Sequence, residues 1–237
     1  MKKKYWWIIF IYIVMQFSGY IGIPLLNELG VPRNQLFGMW GTFSFIAALV
    51  IILYMLIPEM RERHRNTKRV SKGSAVLWSI IGIFMAYAAQ IIASMIEMNL
   101  FGIQPGSENT KQLVEIVKNV KYFMIVTAIV GPILEEIIFR KIIFGSLHKR
   151  FNFFISALIS SLIFAAVHAD FTHLLIYTAM GFTFAFLYVR TQRLIVPIAA
   201  HVAMNTLVLI VQVLFADKIK EMEQQLETAQ LIIGGLL

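Results

Sequence analysis

The sequence predicts an all-α, polytopic membrane bundle of about seven transmembrane helices, and three observations carry that prediction. Hydrophobic residues fill 59% of the 237 positions and charged residues only 14%, with a mean hydropathy of +0.75, a balance well outside the soluble globular range. Apolar runs of about 20 residues, long enough for a helix to cross a hydrocarbon core of about 30 Å, recur along the chain. Basic residues gather in alternate connections between those runs, the pattern that orients helical membrane proteins.

The first apolar run, 6–26, follows Met1-Lys2-Lys3-Lys4. A basic start before an apolar stretch also opens a signal peptide, but no small-residue cleavage site follows, so the run is expected to remain as the first span. Further spans are expected over 36–57, 75–96, 122–147, 153–169, 174–189 and 194–215. With the N-terminus cytoplasmic, the inner connections hold Lys2, Lys3 and Lys4, then Arg61, Arg63, Arg65, Lys68, Arg69 and Lys72, then Lys149, Arg150, Arg190 and Arg193. The outer ones hold Arg33, Lys111, Lys118, Lys121, Lys218 and Lys220, while Arg140 and Lys141 lie inside the fourth run. The excess on one side favours N-inside and C-outside. Between the third and fourth spans, Pro105-Gly106-Ser107 signals a turn. Leu113, Ile116, Val117 and Val120 then recur at helical spacing, which predicts an amphipathic helix over 108–121 lying at the interface. The basic stretch 59–72 reads as an orientation determinant resting against anionic lipid, with a partner-binding patch as the alternative. The polar tail after Asp217 ends in an apolar stretch too short to span. Three regions result: an accessory region with three spans and an interfacial helix (1–121), a core (122–215) and a tail (216–237).

Composition and absent motifs narrow the chemistry. The chain has no cysteine, which excludes disulfides, thiolate metal sites and a cysteine nucleophile. Its net charge of +8 is explained by orientation in a bilayer and calls for no nucleic acid partner. Neither the zinc-protease His-Glu-x-x-His nor the Gly-x-Ser-x-Gly elbow occurs. Glu97, Asp170 and Asp217, the other acids near span ends, are not placed to give a mid-membrane aspartate pair. His64, His148 and His173 fall in or beside loops and read as surface histidines, and Asp170 reads as a solvated helix-end residue that could also orient His168.

What remains is polar chemistry inside apolar runs. Glu135, Glu136 and Arg140 lie within 122–147, and each would cost about 2.5–3.5 kcal/mol at mid-bilayer, so they are expected to face a protein interior or a water pocket. Residues four apart share a helix face while neighbours diverge by about 100°, so Glu136 should pair with Arg140 and Glu135 should point elsewhere, unpaired. A purely structural ionic knot is the alternative. His168 follows Phe164 by four on the fifth run, and could equally be interhelical glue. His201 and Asn205, again four apart, project together from the seventh run; two such donors can hold an oxyanion or simply bond helices.

These residues sit in patterns that resemble those of a known family. Glu135-Glu136-Ile137-Ile138-Phe139-Arg140 resembles the Glu-Glu-x-x-x-Arg motif of the CPBP family, the CAAX proteases and bacteriocin-processing enzymes also called Abi proteins. Phe164-Ala165-Ala166-Val167-His168 is similar to its Phe-x-x-x-His motif, and His201-Val202-Ala203-Met204-Asn205 to its His-x-x-x-Asn motif. All three occur in order on separate predicted spans, and the resemblance covers roughly 122–215. It implies an intramembrane glutamic endopeptidase of the bacterial cell membrane, acting on membrane-associated peptides or proteins, either prenylated CAAX-like or bacteriocin-type. Glu135 would activate water, with His168 helping to position it. His201 and Asn205 would stabilise the oxyanion, and Glu136 and Arg140 would support the site. No cofactor is expected; zinc held by Glu135, His168 and His201 is the alternative. Two other classes stay open on the residues alone: a non-proteolytic membrane regulator or immunity protein, and a proton relay. One geometric tension also stands. Along straight helices His168 lies about 22 Å into its run and His201 only about 10 Å into its own, so convergence requires tilt, a broken helix or shifted boundaries.

Overall fold

A computed structural model describes residues 1–62, 67–104, 106–215 and 218. In it the apolar runs fold as helices, with no strand among the described residues. The expectations for Arg63, His64, Arg65, Pro105, Asp217, Lys220 and the rest of the tail lie outside the described residues.

The first run is broken. Helix α1 (Lys3–Phe17) and α2 (Gly19–Glu28) meet at a 41° bend. At the bend Ser18 Oγ donates to the Met15 carbonyl at 2.7 Å and accepts from the Trp40 indole N–H at 2.9 Å. Beyond it Gly22 lies directly under the Trp40 ring, where a Cβ would come within 1.9 Å; only hydrogen fits there.

Helix α3 (Leu36–Glu62) and α4 (Lys72–Phe101) are long, and α4 is capped at both ends. Ser71 accepts from the Ser74 N–H, and Gly102 closes the helix at φ +67°, the left-handed position that glycine takes without strain. The amphipathic helix forms as α5 (Glu108–Asn119), with Ser107 as its N-cap. Its Val114 and Val117 bury against Phe123, Val126 and Leu209.

The central element, 123–147, is not a regular α-helix. It runs as α6 (Phe123–Ile125), a π-helical stretch Val126–Val130, α7 (Gly131–Glu135), a second π-helical stretch Glu136–Phe144, and α8 (Gly145–Leu147). Pro132 supplies a physical cause for the first break, because it cannot donate the backbone hydrogen bond that an α-helix needs at that point. Three further helices complete the bundle: α9 (Phe153–Val167), α10 (Leu174–Thr191) and α11 (Ile195–Leu214).

Among the described residues, four segments are individually long and apolar enough to cross a membrane: Arg33–Glu62, Lys72–Phe101, Phe171–Thr191 and Ile195–Leu214; α1 with α2 makes a fifth if the bent pair is one span. The expected number of seven is not reached by that measure, for two physical reasons. Helix α9 has 15 residues, about 22 Å, and 123–147 is interrupted by its wide turns.

The element 123–147 forms the middle of the core. Leu134, Ile137, Ile138, Phe139 and Ile142 pack against Ile8, Tyr12 and Met15 of α1, Ile52 and Leu56 of α3, and Phe164 of α9. A second cluster joins α4, α10 and α11 through Ala86, Phe184, Leu187, Val196 and Ala200. Large apolar side chains such as Trp6, Phe10, Val50, Phe84 and Leu158 stay exposed, the surface expected toward lipid. At one end of the bundle, Glu59 gathers Lys2 at 3.1 Å, Lys4 at 3.0 Å and Lys141 at 3.0 Å, and accepts from the Tyr5 hydroxyl at 3.0 Å. This ties the N-terminus and α3 to 123–147.

Helix α9 meets its neighbours through small residues. Ser156, Ser160 and Ser161 are buried, and Ser160 Oγ donates to the Phe139 carbonyl at 2.7 Å. Gly181 of α10 lies so close to Ser161 that a Cβ would sit 2.7 Å from its Oγ and 3.0 Å from its Cα. Gly181→Val is therefore expected to destabilise by about 1–3 kcal/mol. A lowered thermal unfolding midpoint in detergent checks this, with Gly73→Ala, which meets open space, as the unaffected control.

Candidate active site

The three polar clusters of 123–147, α9 and α11 come together around two glutamates. Arg140 Nε lies 3.2 Å from Glu136 Oε2, as the spacing of four predicts, with both side chains essentially sealed from solvent at 1% and 0% exposure. The other guanidinium nitrogens of Arg140 have no hydrogen-bond partner among the described residues. Ring faces stand in their place: the Arg140 guanidinium carbon is 4.3 Å from the centre of Phe164, 5.2 Å from Phe184 and 5.9 Å from Phe139. A desolvated cation held over several aromatic faces gains about 2 kcal/mol or more from each good contact.

His201 links the two acids. Its Nδ1 is 3.0 Å from Glu136 Oε1, and its Nε2 is 3.6 Å from Glu135 Oε2. Since a carboxylate only accepts, Nδ1 carries the proton, and Nε2 is left facing Glu135. The Phe184 ring stacks on the imidazole at 4.7 Å. Glu136 pairs with Arg140 and Glu135 points elsewhere, as the spacing predicts, but the two opposite nitrogens of one imidazole face both acids. Glu135 nonetheless differs from its neighbour. Its side chain is 19% exposed, and its contact with His201 is longer than a hydrogen bond.

His168 stands one helical turn beyond Phe164. Its Nδ1 donates to the Phe164 carbonyl at 2.8 Å, so in the neutral ring Nε2 is the free acceptor. Tyr177 stacks on the ring at 4.3 Å, and Phe164 meets it edge-on at 4.5 Å. No direct hydrogen bond joins His168 to Glu135 or His201 among the described residues, although both lie within its electrostatic reach. The tension between the two histidine depths is thereby explained. Phe164, not His168, sits at the level of His201, with ring centres 6.1 Å apart. Asn205 Nδ2 donates to the Thr127 carbonyl at 3.3 Å, inside the first π-helical stretch of the element that carries Glu135.

Glu135, His168 and His201 were the residues suited to a zinc alternative. Among the described residues no group of three histidine or acidic side chains is disposed to hold a metal ion, so these three do not fit that set.

Several neighbours carry no motif of their own. Tyr12 of α1 lies within electrostatic reach of Glu135 and Arg140, and the Phe184 ring contacts both Arg140 and His201. A second acid and histidine pair is also buried. His173 Nδ1 is 2.8 Å from Glu97 Oε2 and its Nε2 is 2.5 Å from the Gly106 carbonyl, while Glu97 Oε1 accepts from the N–H groups of Leu175 and Ile176. The surface assignment of His173 is corrected: it is 6% exposed because Glu97 draws it onto the start of α10. Asp170 accepts from Ser107 Oγ at 2.7 Å, and the same hydroxyl lies 3.3 Å from the Tyr177 hydroxyl; its route to His168 passes through Tyr177. His148 is exposed as expected.

The family model described as "Type II CAAX prenyl endopeptidase Rce1-like" matches residues 118–207, a stretch that contains every motif residue of the cluster. The chain is 51% identical to "Putative membrane peptidase YdiL" of Bacillus subtilis (strain 168), over 100% of this chain and 99% of the relative. It is 32% identical to "Membrane-embedded CAAX protease MroQ" of Staphylococcus aureus (strain USA300), over 92% of each. It is 27% identical to "UPF0177 protein YajF" of Lactococcus lactis, over 69% of this chain and 82% of the relative. No solved structure matches it.

Removing one member of a buried ion pair leaves the other charge stranded. Arg140→Ala is expected to destabilise the protein by about 3–5 kcal/mol, measured by unfolding in detergent micelles. Arg140→Lys should recover only part of that loss, because an ammonium does not spread across several rings as a planar guanidinium does.

Proposed function

The chain belongs to the Rce1-like CAAX protease family, and on that footing we propose that it is an intramembrane endopeptidase of glutamic type. Its substrates would be membrane-associated peptides or proteins, either prenylated CAAX-like or bacteriocin-type, in a bacterial cell membrane with the N-terminus cytoplasmic. The core would be 122–215, with 1–121 as an accessory region and 216–237 as a tail. One observation carries the reading. Of the four charged or ionisable side chains knotted together, Glu136, Arg140 and His201 are sealed at 0%, 1% and 3% exposure, whereas Glu135 is open at 19%. The acid that water can reach is the one without a close hydrogen bond.

In this proposal a water molecule loses a proton to Glu135 and its oxygen attacks the scissile carbonyl carbon. His168 Nε2, kept an acceptor by the Nδ1 bond to the Phe164 carbonyl, receives the second water hydrogen as a hydrogen bond and so orients the nucleophile. The oxyanion is held by His201 and Asn205. Asn205 spends one N–H on Thr127 and keeps the other. His201 would donate through Nε2 in the doubly protonated ring, whose Nδ1–H is held by Glu136. Collapse of the tetrahedral intermediate breaks the C–N bond as the proton held by Glu135 passes to the departing amine. Glu136 and Arg140 orient His201 and touch no substrate.

Glu135→Gln keeps the shape and removes the base, so cleavage of membrane-tethered peptides in liposomes is expected to be abolished, a loss of at least about 10²-fold, with an unchanged unfolding midpoint. His168→Ala should lose activity likewise. Mass spectrometry of the products compares them with the wild type; full activity of either variant refutes its assigned role, and biological function surviving Glu135→Gln would point to a non-proteolytic regulator. Treatment of the purified protein with a chelator is expected to leave cleavage unchanged, and loss restored by zinc would reverse the metal-free assignment.

A further inference from the structure

A groove of about 440 Å³ runs between the first turns of α4 and α11, away from the glutamates and both site histidines. Its walls are mostly apolar, from Ala75, Ile80 and Ile83 on α4 to Ala199 on α11, and its mouth carries Lys72 and Arg193. None of its lining residues is acidic. The segments before the two helices are bound to one another: Val70 N–H donates to the Thr191 carbonyl at 3.2 Å, and Arg193 Nε donates to the Val70 carbonyl at 2.6 Å. That bond fixes the guanidinium at the mouth and occupies only one of its nitrogens. Neither Lys72 nor Arg193 has an ion-pair partner among the described residues. Nearby, Arg190 stacks on Trp78 at 5.0 Å, and Trp–Arg pairs of this kind belong at the headgroup level of a bilayer.

We propose that this groove binds one anionic phospholipid, with its phosphate on Lys72 and Arg193 and an acyl chain along the seam of α4 and α11. The occupant follows from the two chemistries joined in one groove. A soluble anion would satisfy the cations and leave the apolar wall wet, and a zwitterionic lipid would cover the wall while its own cation offsets the phosphate. An anionic amphiphile meets both. The site is independent of the proteolytic reading, since none of its lining residues takes part in it.

The test uses the full-length protein in nanodiscs that contain phosphatidylglycerol and phosphatidylcholine in equal amounts, released and weighed by native mass spectrometry. The wild type is expected to retain one phosphatidylglycerol in preference to phosphatidylcholine. Lys72→Gln, at an exposed position, should weaken that preference about fivefold. Ser79→Phe fills the groove while leaving both cations, and should remove the retained lipid. Equal retention of the two lipids by the wild type would overturn the proposal, as would undiminished phosphatidylglycerol on both variants. Displacement of the lipid by glycerol phosphate at equal concentration would assign the cations to a free anion and overturn it too.

Discussion

Everything at the centre of this protein depends on how one buried guanidinium is kept charged. Arg140 is sealed inside the bundle with a single ion-pair contact to Glu136 and aromatic rings over its faces. Taking an ion out of water costs several kcal/mol, and a bare pair seldom recovers it. The rings of Phe139, Phe164 and Phe184 provide the remaining stabilisation from three different elements, so the charge pair also sets how 123–147, α9 and α10 lie against one another. Glu136, neutralised there, can then accept from His201 without drawing in water. The order of dependence runs from Arg140 to Glu136 to His201, and Glu135 is the acid that the chain of neutralisation leaves at the opening.

The wide turns of 123–147 serve the same arrangement. A π-helical stretch loosens the backbone ladder, and such stretches are frequent at functional sites. Here one of them begins at Glu136 and another ends just before Gly131. The loosened carbonyls are taken up by side chains of neighbouring helices: Ser160 binds the Phe139 carbonyl and Asn205 the Thr127 carbonyl. Irregular backbone at membrane depth is tolerated where protein groups satisfy it, and these two bonds do so while positioning the helices that carry His168 and His201.

Much of this was legible in the sequence, and what was not has identifiable causes. The class followed from apolar run lengths, and the Glu136–Arg140 pair from a spacing of four. That His201 faces both Glu135 and Glu136 had no signal in the sequence, because helical periodicity treats neighbours as divergent and does not see a ring able to bridge them. The count of seven spans is not reached by length and composition at α9 and at 123–147, where run length alone does not reveal a short helix or a π-helical turn. His173 was read as superficial because its partner, Glu97, is far away in sequence and no local pattern links them. Phe184 and Tyr12 carry no motif, so only packing could find them.

The knot at Glu59 bears on how the chain assembles. Lys2 and Lys4 are available to Glu59 as soon as α1 and α3 have been made, whereas Lys141 emerges much later. The element bearing Glu135 is thus received by a socket built earlier from α1 and α3, whereas α9, α10 and α11, which complete its surroundings, follow it in synthesis. Glu136 and Arg140 are made before Phe164, Phe184 and His201, so the ion cluster at Glu59 holds their element in place while those later partners are added.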